Sequence, residues 1–150
     1  MTAALSSLTI PTIAHFRTLL PVSMESTRTL TEAHELMRSN QVRHLPIIDG
    51  GVLVWLLSLS DLHLIETLKD VNPGEVEIGD AMSHAPFAVF FDAQIDEVAE
   101  EMAQRKISSA VVMDCNRVVG IFTSVDALRA LAFAVREQPR RAILAVLWPV

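Results

Sequence analysis

Several shortages narrow what this chain can be. It holds a single cysteine, Cys115, which excludes an internal disulfide and a Cys-based zinc site and is compatible with a reducing cytoplasm. Positive charge is scarce: 12 Lys and Arg against 18 Asp and Glu leave a net charge of -6. Phosphate backbones are held by clustered basic side chains, and aromatics make up only 5% of the residues, so no nucleic-acid binding is expected. No uncharged apolar run approaches the ~20 residues needed to cross a bilayer, so no membrane span is expected. The opening MTAALSSLTIPTIA lacks the positive start of a secretion signal and reads as a mature N-terminus.

Catalytic signatures are missing too. There is no Gly-x-Ser-x-Gly elbow, and Cys115 sits in a turn without an evident base, so no enzyme activity is expected. The histidines His15, His34, His44, His63 and His84 form no His-x-His or His-x3-His pair and read as surface or cap residues, with no metal site expected. His44 stands apart, because Arg43-His44 precede a short strand and either face a phosphate or form a solvated pair. Arg28, Arg38, Arg105 and Lys106 read as solvated charges at helix ends, and Met37 and Met102 as core.

What is present is apolar. Hydrophobic residues make up 51% of 150, with a mean hydropathy of +0.37. A chain of this length buries ~70% of its unfolded surface, and the excess points to apolar surface covered by a partner, so a homodimer is expected.

The chain also repeats itself. At an offset of 65, Ile13 meets Ile78, Pro21 meets Pro86, Met37 meets Met102, Asp49 meets Asp114, Ser58 meets Thr123 and Asp61 meets Asp126, without a gap. Such a repeat implies two copies of one supersecondary unit about a pseudo-twofold axis. Thr29 with Glu32 starts a helix over 30–40, and Ile95, Val98 and Met102 repeat its stripe. Short strands follow at 44–48 and 109–113. Turns at Asp49-Gly50-Gly51 and Asp114-Cys115-Asn116 lead into VLVWLL and RVVGIF, then into helices near 59–69 and 124–135. The strands are almost wholly apolar, which predicts α/β layers with both sheet faces covered.

Each copy ends in a Ser/Thr-x-x-Asp corner: Ser58 to Asp61, and Thr123 to Asp126. Two readings stand side by side. The residues form a capping box at a helix start, or the helix N-terminus and hydroxyl receive a phosphate while the carboxylate accepts from a ribose. Gly120 precedes the second corner and opens the backbone to close approach; Trp55 stands in its place in the first.

The succession Leu45-Pro46-Ile47-Ile48-Asp49, a turn, and Gly120 to Asp126 resembles the tandem CBS domain, named after cystathionine β-synthase, over residues 12 to 135. The resemblance implies an α/β fold of two β-α-β-β-α units packed through their sheets, at 12–71 and 77–136. It implies two clefts for adenosine-containing ligands, with Thr123 and Ser58 toward phosphate and Asp126 and Asp61 toward ribose. The base would lie near His44 and Leu45 in one unit and Ser109 and Ala110 in the other, beside strands around 22–24 and 87–89. No cofactor is required, and AMP, ADP or ATP would be a regulatory ligand. The function implied is a stand-alone module that senses such a ligand and signals to a regulated enzyme or transporter. The alternative is a ligand-free interaction module whose motifs are only helix caps. Because Trp55 fills the place of Gly120, the second cleft is expected to bind better than the first. The segment 137–150, with Arg140-Arg141 before an apolar run, is expected to form an interface helix.

Overall fold

The computed structural model describes residues 11–20, 22–82 and 85–137. In chain order the elements are α1 (Ile13–Phe16), β1 (Met24–Glu25), α2 (Leu30–Asn40), β2 (His44–Asp49), β3 (Val52–Ser58) and α3 (Leu59–Glu66). The pattern then repeats as α4 (Ile78–Ala81), β4 (Ala88–Phe90), α5 (Ile95–Arg105), β5 (Ser109–Asp114), β6 (Arg117–Thr123) and α6 (Ser124–Glu137). The sheets run β1-β2-β3 and β4-β5-β6, each with one parallel and one antiparallel pairing. This is the expected α/β arrangement of two β-α-β-β-α units.

Local chemistry explains most boundaries. Thr29 accepts from the Glu32 amide while the Glu32 side chain accepts from the Thr29 amide, a complete capping box. Those bonds from Thr29, with the nearby Arg28 charge, hold the Glu32 carboxyl below its ordinary range against the opposing effect of desolvation. The equivalent start of α5 has Gln94 and no side-chain cap. Both helices stop at a left-handed residue, Gln41 at φ 54° and Lys106 at φ 55°. The two hairpin turns differ: Gly50 and Gly51 adopt positive φ in the first, whereas Cys115 does so at 53° in the second and lies exposed. The helix expected to reach residue 69 ends at Glu66, and α6 runs on to Glu137.

The central strands β2 and β5 are buried on both faces. Ala110 and Val112 join a core with Val98, Met102 and Phe122, while the intervening Val111 is equally buried outside that cluster. Two layers therefore cover β5, which is why its sequence is continuously apolar.

The packing units do not coincide with the sequence repeats. Ile13, at the start of the first copy, is fully buried in the second core, and its amide donates to the Ala93 carbonyl at 2.9 Å. Reciprocally, Ile78 is buried in the first core with Leu30, Met37, Trp55 and Leu57, and its amide donates to the Arg28 carbonyl at 2.8 Å. The leading segments are exchanged. A repeat register reveals equivalence between segments, but it cannot say which of two equivalent cores each segment enters.

Candidate functional site: a cleft between the units

The β3–α3 junction carries the first corner. Ser58 ends the strand, and its hydroxyl both donates to Asp61 Oδ2 at 2.6 Å and accepts from the Asp61 amide at 3.1 Å. The cap is real, but Asp61 remains exposed and lines the cleft. Beside Ser58 on the neighbouring strand stands His44, its registered partner in the antiparallel ladder. Ser58, Ser60, Asp61, Arg43, His44 and Trp55 form one side of a cleft of about 1160 Å³.

The opposite side comes from the second unit. Pro86, Phe87 and Ala88 lead into and begin β4, and Arg105, Lys106 and Ser109 lie around the α5–β5 turn. The Arg105 guanidinium is 5.1 Å from the Phe87 ring centre and is also paired with Glu101. Two of the four helix-end charges expected to be solvated, Arg105 and Lys106, thus rim the cleft with Arg43. In a chain of net charge -6, three cations and one imidazole among the described residues surround a single lining carboxylate, Asp61. The arrangement attracts an anion. Half-burial holds the His44 imidazole below its ordinary value near 6.5, with Arg43 adding to the effect and Asp61 and Asp126 opposing it.

The second corner is built differently. Asp126 is 1% exposed, and its Oδ2 accepts from the Thr123 amide at 2.9 Å and the Thr123 hydroxyl at 2.8 Å. Its Oδ1 accepts from Thr18 Oγ1 and from Arg129 Nη1, both at 3.3 Å. Thr18 also exchanges two 2.8 Å backbone hydrogen bonds with Ile121, and Arg17 donates to the Val119 carbonyl. The backbone that approaches Gly120 is therefore the chain's own: a Cβ there would meet the Thr18 oxygen at 2.7 Å. The segment at Arg17-Thr18 thus covers the second corner, the one expected to bind better, while the first opens to the cleft.

Five of the sequence-selected residues, Ser58, Asp61, His44, Trp55 and Ser109, line the cleft together, and Gly120, Thr123 and Asp126 do not. Leu45 and Ala110 are corrected to core, each fully buried, since their side chains alternate away from His44 and Ser109 along the strands. Trp55 does both, 4% exposed within the first core yet forming part of the cleft wall. Sequence reasoning missed the participation of Arg105 and Lys106, for which the equal offset from Asn40 and Gln41, just before Arg43 and His44, was the available signal. Among the selected histidines, His84 lies outside the described residues, as do residues 138–150 of the expected interface helix.

A profile of the CBS domain matches residues 21–63 and 78–133. The chain belongs to the CBS domain family. This CBS pair is 32% identical over 111 residues to the L-aspartate semialdehyde sulfurtransferase of Methanocaldococcus jannaschii, a match covering 73% of the chain but 21% of that protein. Only a minor part of that enzyme thus corresponds to this chain. A CBS domain-containing protein of Bacillus subtilis is 27% identical over 99 residues, covering 66% of this chain and 70% of its own length. The solved CBS domain pair in complex with 5'-methylthioadenosine and S-adenosyl-L-methionine superposes with a TM-score of 0.72 at 27% identity, covering 83% of this chain and 98% of that one. The resemblance read from the tandem motifs is thereby established, together with the fold it implied. No helix among the described residues is long and apolar enough to cross a membrane.

Proposed function

We propose that this CBS pair is a regulatory module that holds a phosphate-bearing adenosine ligand of the AMP, ADP or ATP type in the cleft at Ser58 and Asp61. The observation that carries this reading is the convergence of Arg43, His44, Arg105 and Lys106 on one cleft beside a helix N-terminus. Ser58 and the first turn of α3 receive phosphate, Asp61 accepts from ribose hydroxyls, and Trp55 and Phe87 offer apolar walls to the base. Adenosine chemistry is supported by the related CBS pair in complex with methylthioadenosine and S-adenosylmethionine. The cationic rim favours a ligand more anionic than either of those.

Because the cleft draws on both units, occupancy bears on their mutual packing. That is the route by which we propose it signals to a regulated enzyme or transporter. The module acts as a homodimer, joined through the apolar surfaces of α3 and α6. The second corner has a different role: Thr123 and Asp126 cap α6 and clasp Thr18, so for that copy the helix-cap reading is favoured by the bonds Asp126 already makes.

Calorimetric titration with AMP, ADP, ATP, methylthioadenosine and S-adenosylmethionine tests the proposal. Tighter binding of the phosphorylated members, weakened by Arg105→Ala, supports it. Preference for the uncharged nucleoside, or no binding at all, refutes it.

A further inference from the structure

The helices α2 and α3 bring together three side chains that the sequence keeps apart. His34 lies on α2, and His63 and Glu66 stand three residues apart on α3, which places them on one helix face. His34 Nδ1 is 3.0 Å from Glu66 Oε1, and the His34 and His63 rings meet edge to face with centres 5.4 Å apart. One donor atom from each of the three lies within 4.8 Å of the others. Tetrahedral zinc with bonds of 2.0–2.2 Å sets its donors about 3.3 Å apart, so side-chain rotation of about an ångström closes the set.

The supporting scaffold is firm. Ala33 and Met37 anchor α2 in the first core, and Leu62 anchors α3 there. The ligands thus project from packed helices and not from loops. Two imidazoles and a carboxylate also match the donor preference of a transition-metal dication better than that of calcium or magnesium, which take oxygen.

We propose that His34, His63 and Glu66 form a zinc-binding site that fastens α2 to α3, with a fourth position left for water or an incoming donor. The site lies outside the nucleotide cleft and does not depend on that cleft being occupied. The competing description is an ordinary His34–Glu66 ion pair with His63 as a bystander.

The test is titration of the untagged full chain with zinc chloride in chelator-free buffer, read by calorimetry and by the melting midpoint. We expect one zinc per chain at micromolar or tighter affinity and a rise in melting midpoint. His63→Ala and Glu66→Gln should each weaken binding at least about tenfold and abolish that rise, while His15→Ala leaves both unchanged. His63 is exposed, so its variant folds, which circular dichroism verifies. Failure of the wild type to take up zinc at tens of micromolar overturns the site, as does unchanged uptake by His63→Ala.

Discussion

The carbonyl oxygen of Thr18 lies 2.7 Å from the point where a Cβ on Gly120 would stand. That single approach lets the N-terminal segment add to the edge of the second sheet and donate its hydroxyl to Asp126. At the equivalent place Trp55 carries a Cβ, which would forbid the same approach. The two corners share one motif but not one surrounding.

Gly120→Ala should therefore push Thr18 away from β6. The Arg17 side chain at 3.0 Å can give way, but the closest atom is the Thr18 backbone oxygen, which cannot, so we expect a loss of ~1–3 kcal/mol in urea unfolding. Hydrogen exchange at the Thr18 and Ile121 amides should accelerate in the same variant. A variant as stable as wild type would show that the segment is not held there.

The two aspartates should separate stability from binding. Asp61→Ala removes an exposed cap, costing roughly 0.5–2 kcal/mol of stability. It also removes charge-assisted bonds to the ligand worth ~1.5–3 kcal/mol, or about 10- to 150-fold in affinity. Asp126→Ala leaves the Thr123 and Thr18 donors without their buried acceptor and should lower stability more, with affinity nearly unchanged. Paired calorimetry and urea melts decide it, and equal affinity losses would return the second corner to a binding role.

His44 sets the pH dependence. Its folded pKa lies below the unfolded value near 6.5, so below that value the unfolded chain binds more protons than the folded one. Its contribution is present above pH 6.5 and is lost as pH falls toward the folded pKa. A bound phosphate favours the charged imidazole and acts in the opposite direction. Affinity for the nucleotide should therefore rise as pH falls from 8 toward 6, with proton uptake on binding. His44→Gln should flatten both profiles, which titration in buffers of different ionisation enthalpy measures directly.

Along α6, Val125, Leu128 and Leu131 are between 56% and 64% exposed and Phe133, edge-on to Phe16, 50%, and α3 adds Leu64 at 65%. Apolar surface of this extent marks an association site. Light scattering should give twice the 16.5 kDa chain mass, and Leu128→Glu with Leu131→Glu should return it to the monomer. A wild-type monomer at all micromolar concentrations would remove the dimer from the proposal.

The sequence by itself determined the elements and their equivalence. Thr29 and Glu32 at capping distance, the unbroken apolar strands and the register that pairs Ser58 with Thr123 are local or periodic signals, and local physics fulfils them wherever the chain ends up. Tertiary structure decided what those elements face. Ile13 and Ile78 look interchangeable in a repeat and yet enter each other's cores, because burial rewards whichever apolar site the chain can reach. The same exchange carries Thr18 onto Gly120, so the glycine that seemed to admit a ligand admits backbone instead. Arg105 and Lys106 are exposed helix ends, and only the tertiary structure sets them on the same cleft as Arg43 and Asp61. The motif fixed the chemistry of each corner, whereas which corner stays open depended on a contact between residues about a hundred positions apart in the chain, and no spacing within either copy encodes that.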